Sequence, residues 1–532
     1  MRFTSRFLGL IAALSLAAAS PAFAEGGTFR SAMRTGCIEM GTLHTTCGHR
    51  LDETVLQSLV HLMWTGQGVK PMLAESWSTP DSGQTWVFKL RPGVKWHDGA
   101  PFTAKDVVFS LNAYANPKVG SPWASKLSSI KGYNEFQSGA ADHLAGVSAP
   151  DDGTVRIELD GPKPAWVELQ LIFISILPEH ILGAVAPQDI RGNRFWINRV
   201  GTGPFIWKAY ASDQYVEVTR NPDYFLGAPK LDRIVYQIYK DISPIVSALE
   251  LGEVDAMSYE GGGVPLSEIP RLQKVPSLQV MPNMNGGLPT YIQLNLADPR
   301  FADVRVRQAM MYAIDRRSII ETVKGNTGEL SNTLFPQAWA RADGLEPYEY
   351  NPDKARDLLK QAGWQTGKPI DFIYYYSDQM NVDTVVAIQS YLADVGIDIK
   401  PRLLDPASIN QVYADNAFEM GLFANGMGLD PSLGALVVTC NAKPLAFGYC
   451  NKEVDALFER GLATADRAER AAAYKQASVI LNRELPKLWL FNEVRPLAFN
   501  KRISGLAEHF AQQPLLFFNL PVYNEVETWD VR

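Results

Sequence analysis

Helices and single strands alternate along the second half of the chain, and this order limits the possible folds more strongly than any other property. Helical periodicity predicts helices over residues 304–323, 352–362, 384–395, 453–463 and 465–481. Strands are predicted between them, over 370–376 and 397–403. Such alternation is typical of an α/β lobe with a sheet at its centre. The second half of the chain is therefore predicted to form one α/β lobe.

The first half of the chain carries a similar mixture. Alternating apolar residues predict strands over 28–34, 86–90, 154–159, 216–219 and 234–239, and helical spacing predicts a helix over 52–63. Thr103 and Asp106 have the spacing of a helix-starting capping box. At about 100–200 residues per domain, a chain of 532 residues holds several packing units. The chain is therefore expected to form two or three α/β lobes.

The first 24 residues have the pattern of a secretory signal peptide. Arg2 and Arg6 precede an apolar run from Leu8 to Ala19, and Ala22-Phe23-Ala24 offers small residues at the expected cut. The apolar run is shorter than the ~20 residues that span a bilayer. Cleavage after Ala24 and a periplasmic location are predicted.

Composition argues against several classes of protein. A formal charge of −7 provides no basic field for nucleic acid. The seven histidines include His44, His49 and His61, whose spacing fits no familiar metal-ligand pattern, so no metal site is predicted. Four cysteines allow three pairings in an oxidising compartment. The pairing that closes two short loops, Cys37 with Cys47 and Cys440 with Cys450, is favoured.

The sequence contains none of the common nucleophile, zinc-protease or phosphate-binding motifs GxSxG, HExxH, GxxxxGK[ST] and GxGxxG. No catalytic residue and no cofactor are therefore predicted. A large, aromatic-rich chain with several lobes suits ligand binding in a cleft. An exported hydrolase or chaperone is the alternative from another class.

Several ordered motifs carry a resemblance to a known family. They include Pro71–Trp77, Trp86–Gly99 (WVFKLRPGVKWHDG), Pro101–Val108, Gly201–Pro204, Asn221–Tyr224, Asp303–Ala309 with Ala313–Arg316, Tyr350–Ala355, and Asp430-Pro431 followed by Cys440 and Tyr449-Cys450-Asn451. Together they resemble the dipeptide-, oligopeptide- and nickel-binding family of extracytoplasmic solute-binding proteins that feed ABC importers. Taken singly, these motifs have local explanations: Asp98 is expected to stabilise a turn, and Arg305 and Arg307 to lie on a solvated helix face.

The resemblance implies a two-lobed periplasmic binding protein of the Venus-flytrap type, with an extra subdomain on the first lobe. The first lobe would comprise 25–62, 178–286 and 495–532, the extra subdomain 63–177, and the second lobe 287–494. The resemblance further implies a monomer that closes over a peptide or small solute and passes it to permease subunits in the inner membrane, without a cofactor.

The solute is where the chain departs from the family pattern. Dipeptide binders place an Asp, for the peptide ammonium, where this chain has Met427, and the stretch 374–381 lacks their arginine. A longer peptide, an opine-like conjugate or an oligosaccharide is favoured over a free dipeptide, and a nickel chelate remains open. Ligand contacts are predicted in the second lobe and, more weakly, in first-lobe loops: Tyr374, Tyr376, Asp378, Asn425 and Met427, then His44, His49 and Tyr259.

Overall fold

The computed structural model describes residues 27–34, 41–44, 49–63, 68–257, 263–282, 285–365, 367–405, 408–428, 430–442, 445–511 and 525–531. Within them, three larger sheets organise the chain, and two two-stranded ribbons accompany them. The predicted signal peptide lies outside the described residues, as do Cys37, Cys47 and Tyr259. No helix in the described ranges is long and apolar enough to cross a membrane.

The first sheet has seven strands and contains parts of both chain ends. Its order is Leu278–Met281, Leu497–Asn500, Ala256–Met257, Thr28–Arg34, Arg233–Tyr239, Tyr215–Arg220 and Phe205–Ala211. The three strands at its centre, which include Thr28–Arg34, run parallel. Apolar residues from both faces of this sheet form two separate cores.

The second sheet has six strands and the largest core of the molecule. Its order is Glu329–Leu330, Lys487–Val494, Asn285–Leu294, Met420–Ala424, Ile370–Tyr374 and Ile399–Leu403. The last three of these strands run parallel. Helices of the same half of the chain pack around the sheet, and their apolar faces join its core.

The third sheet is antiparallel and belongs to the first half of the chain. Its order is Ala74–Ser78, Thr85–Leu90, Thr154–Glu158 and Val147–Asp151. The two ribbons pair Val60–Leu62 with Val69–Pro71 and Ile503–Ser504 with Asp530–Val531. The third sheet and its helices enclose a core of their own.

The α-helices are distributed over the whole chain. In chain order they are Gly41–His44, His49–Val55, Ala104–Ala115, Tyr133–Ser138, Trp166–Gln170, Glu179–Leu182, Ile242–Glu250, Ile269–Leu272, Val304–Ala313, Arg316–Ser318, Pro352–Gln361, Gln379–Ala393, Ile409–Ala414, Ala435–Val438, Lys452–Leu462, Arg467–Glu484 and Leu506–Ala511. The predicted capping box is confirmed, because the Thr103 amide donates to Asp106 Oδ2 at 2.9 Å.

The chain passes between the first and second sheets twice, and the two crossings lie side by side. On the first sheet Met281 pairs with Leu497. On the second sheet Asn285 pairs with Val494. One antiparallel pair of strands therefore enters both sheets.

Two predicted helices are wrong in extent. The helix predicted over 52–63 ends at Val55, and Val60–Leu62 is a strand. Leu56, Leu59 and Val60 are all buried, and a short run buried on every side does not distinguish a helix from a strand. The helix predicted over 304–323 breaks at Ile314, since Asp315 accepts a hydrogen bond from the Ser318 amide at 2.9 Å and starts a new helix.

The prediction of a solvated face for Arg307 is also wrong. Arg307 is buried, and its guanidinium donates to the backbone oxygens of Phe301 and Glu484, each at 2.6 Å. Arg305 lies at the surface, as predicted, where it pairs with Asp303. Asp98 stabilises its turn by accepting from the Ala100 amide at 3.1 Å. The Cys440–Cys450 disulfide is confirmed.

Candidate functional site: the cleft between the first and second sheets

The carboxyl ends of the parallel strands in both sheets point towards the two crossings. In the first sheet, Thr28–Arg34 and Ala256–Met257 end at the edge where Met281 leaves. In the second sheet, Met420–Ala424 and Ile370–Tyr374 end at the edge where Asn285 and Val494 meet. Ligands of α/β proteins bind beyond the carboxyl ends of strands and between lobes. The cleft between these two edges is therefore the candidate site.

The structure brings the predicted second-lobe residues to this edge. Tyr374 is the last residue of its strand, and Asn425 follows the last residue of the neighbouring strand. Asp378 is exposed and caps the helix Gln379–Ala393, where it accepts from Asn381 Nδ2 at 2.7 Å. Met427 lies in the loop after Asn425, but its side chain is only 2% exposed and packs in the second-sheet core. Their roles as ligand contacts remain predictions.

The loop that contains Met427 is fixed from both sides. The Met427 amide donates to the Gly287 oxygen at 3.0 Å. Gln337 Nε2 donates to the oxygens of Met427 and Gly428, at 3.0 and 2.9 Å. A buried methionine in a braced loop stands at the position where, by the resemblance, dipeptide binders carry an Asp. The amide and the oxygen of Met427 are therefore bonded within the second-sheet unit, and position 427 brings no charge to this edge.

A pair of tyrosines lies beside this loop. The hydroxyl oxygens of Tyr375 and Tyr376 are 2.7 Å apart, and the ring centroids are 4.2 Å apart. Tyr375 also lies 6.2 Å from the ring of Phe423, which Tyr413 approaches to 5.2 Å. Burial raises the pKa of Tyr375, Tyr376 and Tyr413, so these hydroxyls stay neutral hydrogen-bonding groups. The sequence prediction did not include Tyr375 or Tyr413, although the run Tyr374-Tyr375-Tyr376 marked the region.

A charged pair lies at the end of the cleft nearest the crossings. Glu493 Oε1 lies 3.6 Å from Lys324 Nζ and accepts from Thr290 Oγ1 at 3.3 Å. Lys324 Nζ also lies 4.5 Å from the centroid of the Phe491 ring. Sequence reasoning missed this pair, because no local pattern connects Lys324 to a strand so much later in the chain.

A narrow crevice lies between the third-sheet unit and the second-sheet unit. Glu168 lines one wall, and Asp430 and Arg467 line the other. The guanidinium carbon of Arg467 lies 3.8 Å from the centroid of the Trp339 ring, which holds it flat. Burial raises the pKa of Glu168, and the charge of Asp430 adds to this effect. The crevice thus combines a stacked cation with a partly desolvated acid.

The weaker candidates for ligand contact have no described side-chain positions. His44 and His49 lie in short helices, but their side chains are outside the described residues, and Tyr259 lies outside them altogether. The described ranges hold no group of three His, Cys, Asp or Glu side chains placed to bind a metal ion.

Comparison with known proteins identifies the family. The sequence profile of the bacterial extracellular solute-binding proteins, family 5 (middle region), matches residues 68–441. The chain belongs to this family. Among family 5 relatives, a Brucella ovis protein that carries the name of an ABC transporter peptide-binding protein is 31% identical over 79% of this chain and 78% of its own length. The dipeptide-binding protein of Escherichia coli is 30% identical over 82% of this chain and 83% of its own length.

A solved family 5 structure shows the same fold. The ABC transporter substrate-binding protein CtaP of Listeria monocytogenes superposes with a TM-score of 0.77 at 25% identity, covering 92% of this chain and 98% of CtaP. The predicted fold class, an α/β two-lobed binding protein, is confirmed. Members of family 5 bind solutes, and solute binding is the function of this chain.

Proposed function

We propose that this chain binds a short peptide between the first and second sheets and delivers it to the permease of an ABC importer. The observation that carries the proposal is the shared direction of the two sheets, whose strand ends face one another across paired crossings. The names of the Brucella ovis and Escherichia coli relatives, which refer to peptides, support the choice of solute.

The two crossings act as the hinge of the proposed movement. Residues 25–62, 178–286 and 495–532 form the first lobe, 63–177 its extra subdomain, and 287–494 the second lobe. A solute that touches both lobes favours the closed form by the difference between its affinities for the closed and open forms. The permease then recognises the closed form, so the bound solute undergoes no reaction. The chain works as a monomer in the periplasm after cleavage at Ala24.

The walls of the cleft suit a peptide held by its backbone. The Tyr375–Tyr376 pair offers hydroxyls on an aromatic surface, and the chain has an uncharged residue at position 427. Aromatic rings supply large apolar contact areas to side chains of different shapes. A cleft built in this way binds peptides of varied sequence.

Native mass spectrometry of the mature protein, purified from periplasm without denaturation, tests the proposal. A ladder of added masses that match peptides is the expected result. A single mass of a sugar, an opine or a nickel chelate would overturn the peptide assignment. A protein that is bare, and that also fails to bind a synthetic peptide pool, would overturn it as well.

A matched pair of variants locates the site. Tyr375→Ala should lower the amount of co-purified peptide several-fold, because Tyr375 directly follows the strand end that borders the proposed cleft. Tyr350→Ala removes a tyrosine that is 42% exposed elsewhere in the same half of the chain and should leave the peptide ladder unchanged. Equal ladders from both variants would place the solute elsewhere.

A further inference from the structure

We propose that a pocket between the third sheet and the first sheet is a second binding site, which takes a small zwitterion with one ammonium and one carboxylate group. The pocket has a volume of about 820 Å³, within the roughly 300–1,000 Å³ of sites for small molecules. Its walls come from Ala74–Ser78, from the loop after Thr85–Leu90, from the start of Phe205–Ala211 and the residues before it, and from the turn after Tyr215–Arg220. We call it the seam pocket.

The seam pocket lies at the edge of the first sheet that is opposite the cleft. Arg220, which the pocket-lining turn follows, pairs with Phe205, and its neighbour Thr219 pairs with Arg233. Arg233 begins a strand that runs parallel to Thr28–Arg34, so the carboxyl end of this strand points to the crossings. The strand has seven residues and spans about 20 Å. A solute in the cleft therefore leaves the seam pocket open, and the two sites can be filled independently.

The seam pocket is preformed, because hydrogen bonds join the walls that the two sheets contribute. The His97 amide donates to the Gly201 oxygen at 2.8 Å, and the Gly201 amide donates to His97 Nδ1 at 3.2 Å. Burial lowers the pKa of His97 to about 4, so the ring is neutral and Nε2 donates to the Gly203 oxygen at 3.0 Å. Asn221 Nδ2 donates to the same oxygen at 3.0 Å. These contacts explain why three of the family motifs meet here, but they do not use the charged residues of the pocket.

Arg91 is positioned to bind a carboxylate. Its Nε donates to the Met72 oxygen at 3.1 Å, and its guanidinium carbon lies 5.4 Å from the centroid of the Phe225 ring. These contacts hold the guanidinium in place and leave its two terminal nitrogens without a hydrogen bond to any described residue. Within the same ranges, neither Arg91 nor Lys95, a second cation in the pocket wall, forms an ion pair. A held and unpaired guanidinium matches the two oxygens of a carboxylate.

Two acids in the same pocket are available to an ammonium group. Glu75 and Asp223 are exposed, and neither forms an ion pair with a residue that the structure describes. The Asp223 amide donates to Asn221 Oδ1 at 3.1 Å, so the turn holds this acid in place. The formal charges of the two acids cancel those of Arg91 and Lys95. The pocket therefore favours a molecule with one charge of each sign over a polyanion or a polycation.

The wall of the seam pocket also holds polar groups that the protein does not pair. Trp96 and Thr202 line the pocket and are 2% and 1% exposed. The indole N–H of Trp96 and the hydroxyl of Thr202 have no hydrogen-bond partner among the described residues. Buried polar groups in proteins are nearly always paired, so two unpaired groups in one wall favour a polar ligand over an apolar one.

Equilibrium dialysis of the mature protein with two labelled probes tests the proposal. L-leucine represents a free amino acid, and tri-leucine represents a short peptide with the same two end groups. Hydrogen exchange locates the bound probe, which should protect amides in residues 91–99 and 221–225. The N-acetyl and C-amide derivatives of each probe lack one of the two charges. They should bind the wild type about 10-fold more weakly or worse, the range for loss of a charge-assisted hydrogen bond.

Three variants connect the bound probe to the charged residues. Arg91→Met and Asp223→Asn should each weaken binding at the seam pocket by about 10-fold, because each removes one charged partner. Arg305→Met is the matched control, since Arg305 is an exposed arginine that pairs with Asp303 in the other half of the chain. This variant should bind the probes as the wild type does. The comparison of probes with their derivatives needs no substitution, so it remains informative if a variant folds poorly.

The outcomes separate this proposal from solute binding in the cleft. Protection of residues 91–99 by L-leucine assigns the pocket to free amino acids, and protection by tri-leucine alone assigns it to short peptides. Protection by neither probe, or undiminished binding of the derivatives, would overturn the zwitterion site and leave the cleft proposal intact. Probe binding that survives in Arg91→Met and Asp223→Asn but is lost in Tyr375→Ala would place the probe in the cleft and overturn the seam pocket as a site.

Discussion

Arg470 Nη2 donates a hydrogen bond to each carboxylate oxygen of Asp430, and both distances are 2.7 Å. Arg470 is almost completely buried, and its side chain lies beside Trp339 and Tyr474. Removal of one partner from a buried pair leaves an uncompensated charge, which destabilises a protein by about 3–5 kcal/mol.

We expect Asp430→Asn to lower the free energy of unfolding by about 3 kcal/mol for this reason. Urea unfolding followed by circular dichroism measures the change. Asp353→Asn is the control, because Asp353 and Arg356 form an exposed pair whose loss should change the free energy by less than about 1 kcal/mol. Equal effects of the two substitutions would show that the Asp430–Arg470 pair has no special weight.

His61 makes the protein sensitive to acid. Burial, with a contribution from the charge of Lys70, lowers the pKa of His61 to about 3. Between the ordinary pKa of about 6.5 and this value, the unfolded chain binds a proton that the folded chain does not. Stability therefore falls as the pH falls, by about 2 kcal/mol from this residue at pH 5. Urea midpoints at pH 7 and pH 5 measure the loss, and His61→Asn should reduce it. The exposed His143→Asn variant is the control and should lose as much stability between pH 7 and pH 5 as the wild type. A loss in His61→Asn that equals the loss in this control would contradict the prediction.

Lys487 makes the stability of the protein depend on pH in the neutral to alkaline range. Its ammonium group is buried near the ring of Tyr291, 4.8 Å from the centroid, and donates to Gln293. Burial lowers the pKa of Lys487 to about 7. Between pH 7 and the ordinary pKa of about 10.5 the unfolded chain holds the extra proton, so stability rises with pH, by at most about 1.4 kcal/mol per pH unit. Unfolding at pH 7, 8 and 9 should show this rise in the wild type, and a much flatter profile in Lys487→Met.

The Cys440–Cys450 disulfide closes a loop with a sequence separation of 10 residues. A loop of this length restricts the unfolded chain by about 2.5–3 kcal/mol in the chain-entropy description. We expect the Cys440→Ser, Cys450→Ser double variant to lose about that much unfolding free energy. Differential scanning calorimetry measures the shift in Tm. An unchanged Tm would show that loss of the bridge lowers the free energy of the folded state as much as that of the unfolded state.

Local signals made some of the fold predictable. The capping box at Thr103 and Asp106 depends on residues three positions apart, so the sequence alone identifies it. The break at Ile314 was missed because Asp315 supports either a continuing helix face or a new cap. Only the packing around it selects the cap.

The strand ends at the candidate site were predictable from the sequence. The side-chain pairs Tyr375–Tyr376 and Lys324–Glu493 were not. A strand over 370–376 would place Tyr374 and Tyr376 on one face. The strand stops at Tyr374, and the backbone then turns so that Tyr375 and Tyr376 meet through their hydroxyls. The Lys324–Glu493 pair depends on the tertiary approach of a helix end to a distant strand, which no local periodicity encodes.

The pairing of Asn285 with Val494 also makes the chain between them a single continuous insertion whose two ends are neighbours. The two ends of this segment lie on adjacent strands, about 5 Å apart. The polypeptide therefore connects the second-sheet unit to the rest of the molecule only at these two neighbouring crossings. The segment 285–494 can therefore be replaced by the corresponding segment of a relative without a change in the path of the remaining chain. Selectivity for the solute could thus change by a transplant of one block, while the surface of the first-sheet unit stays as it was.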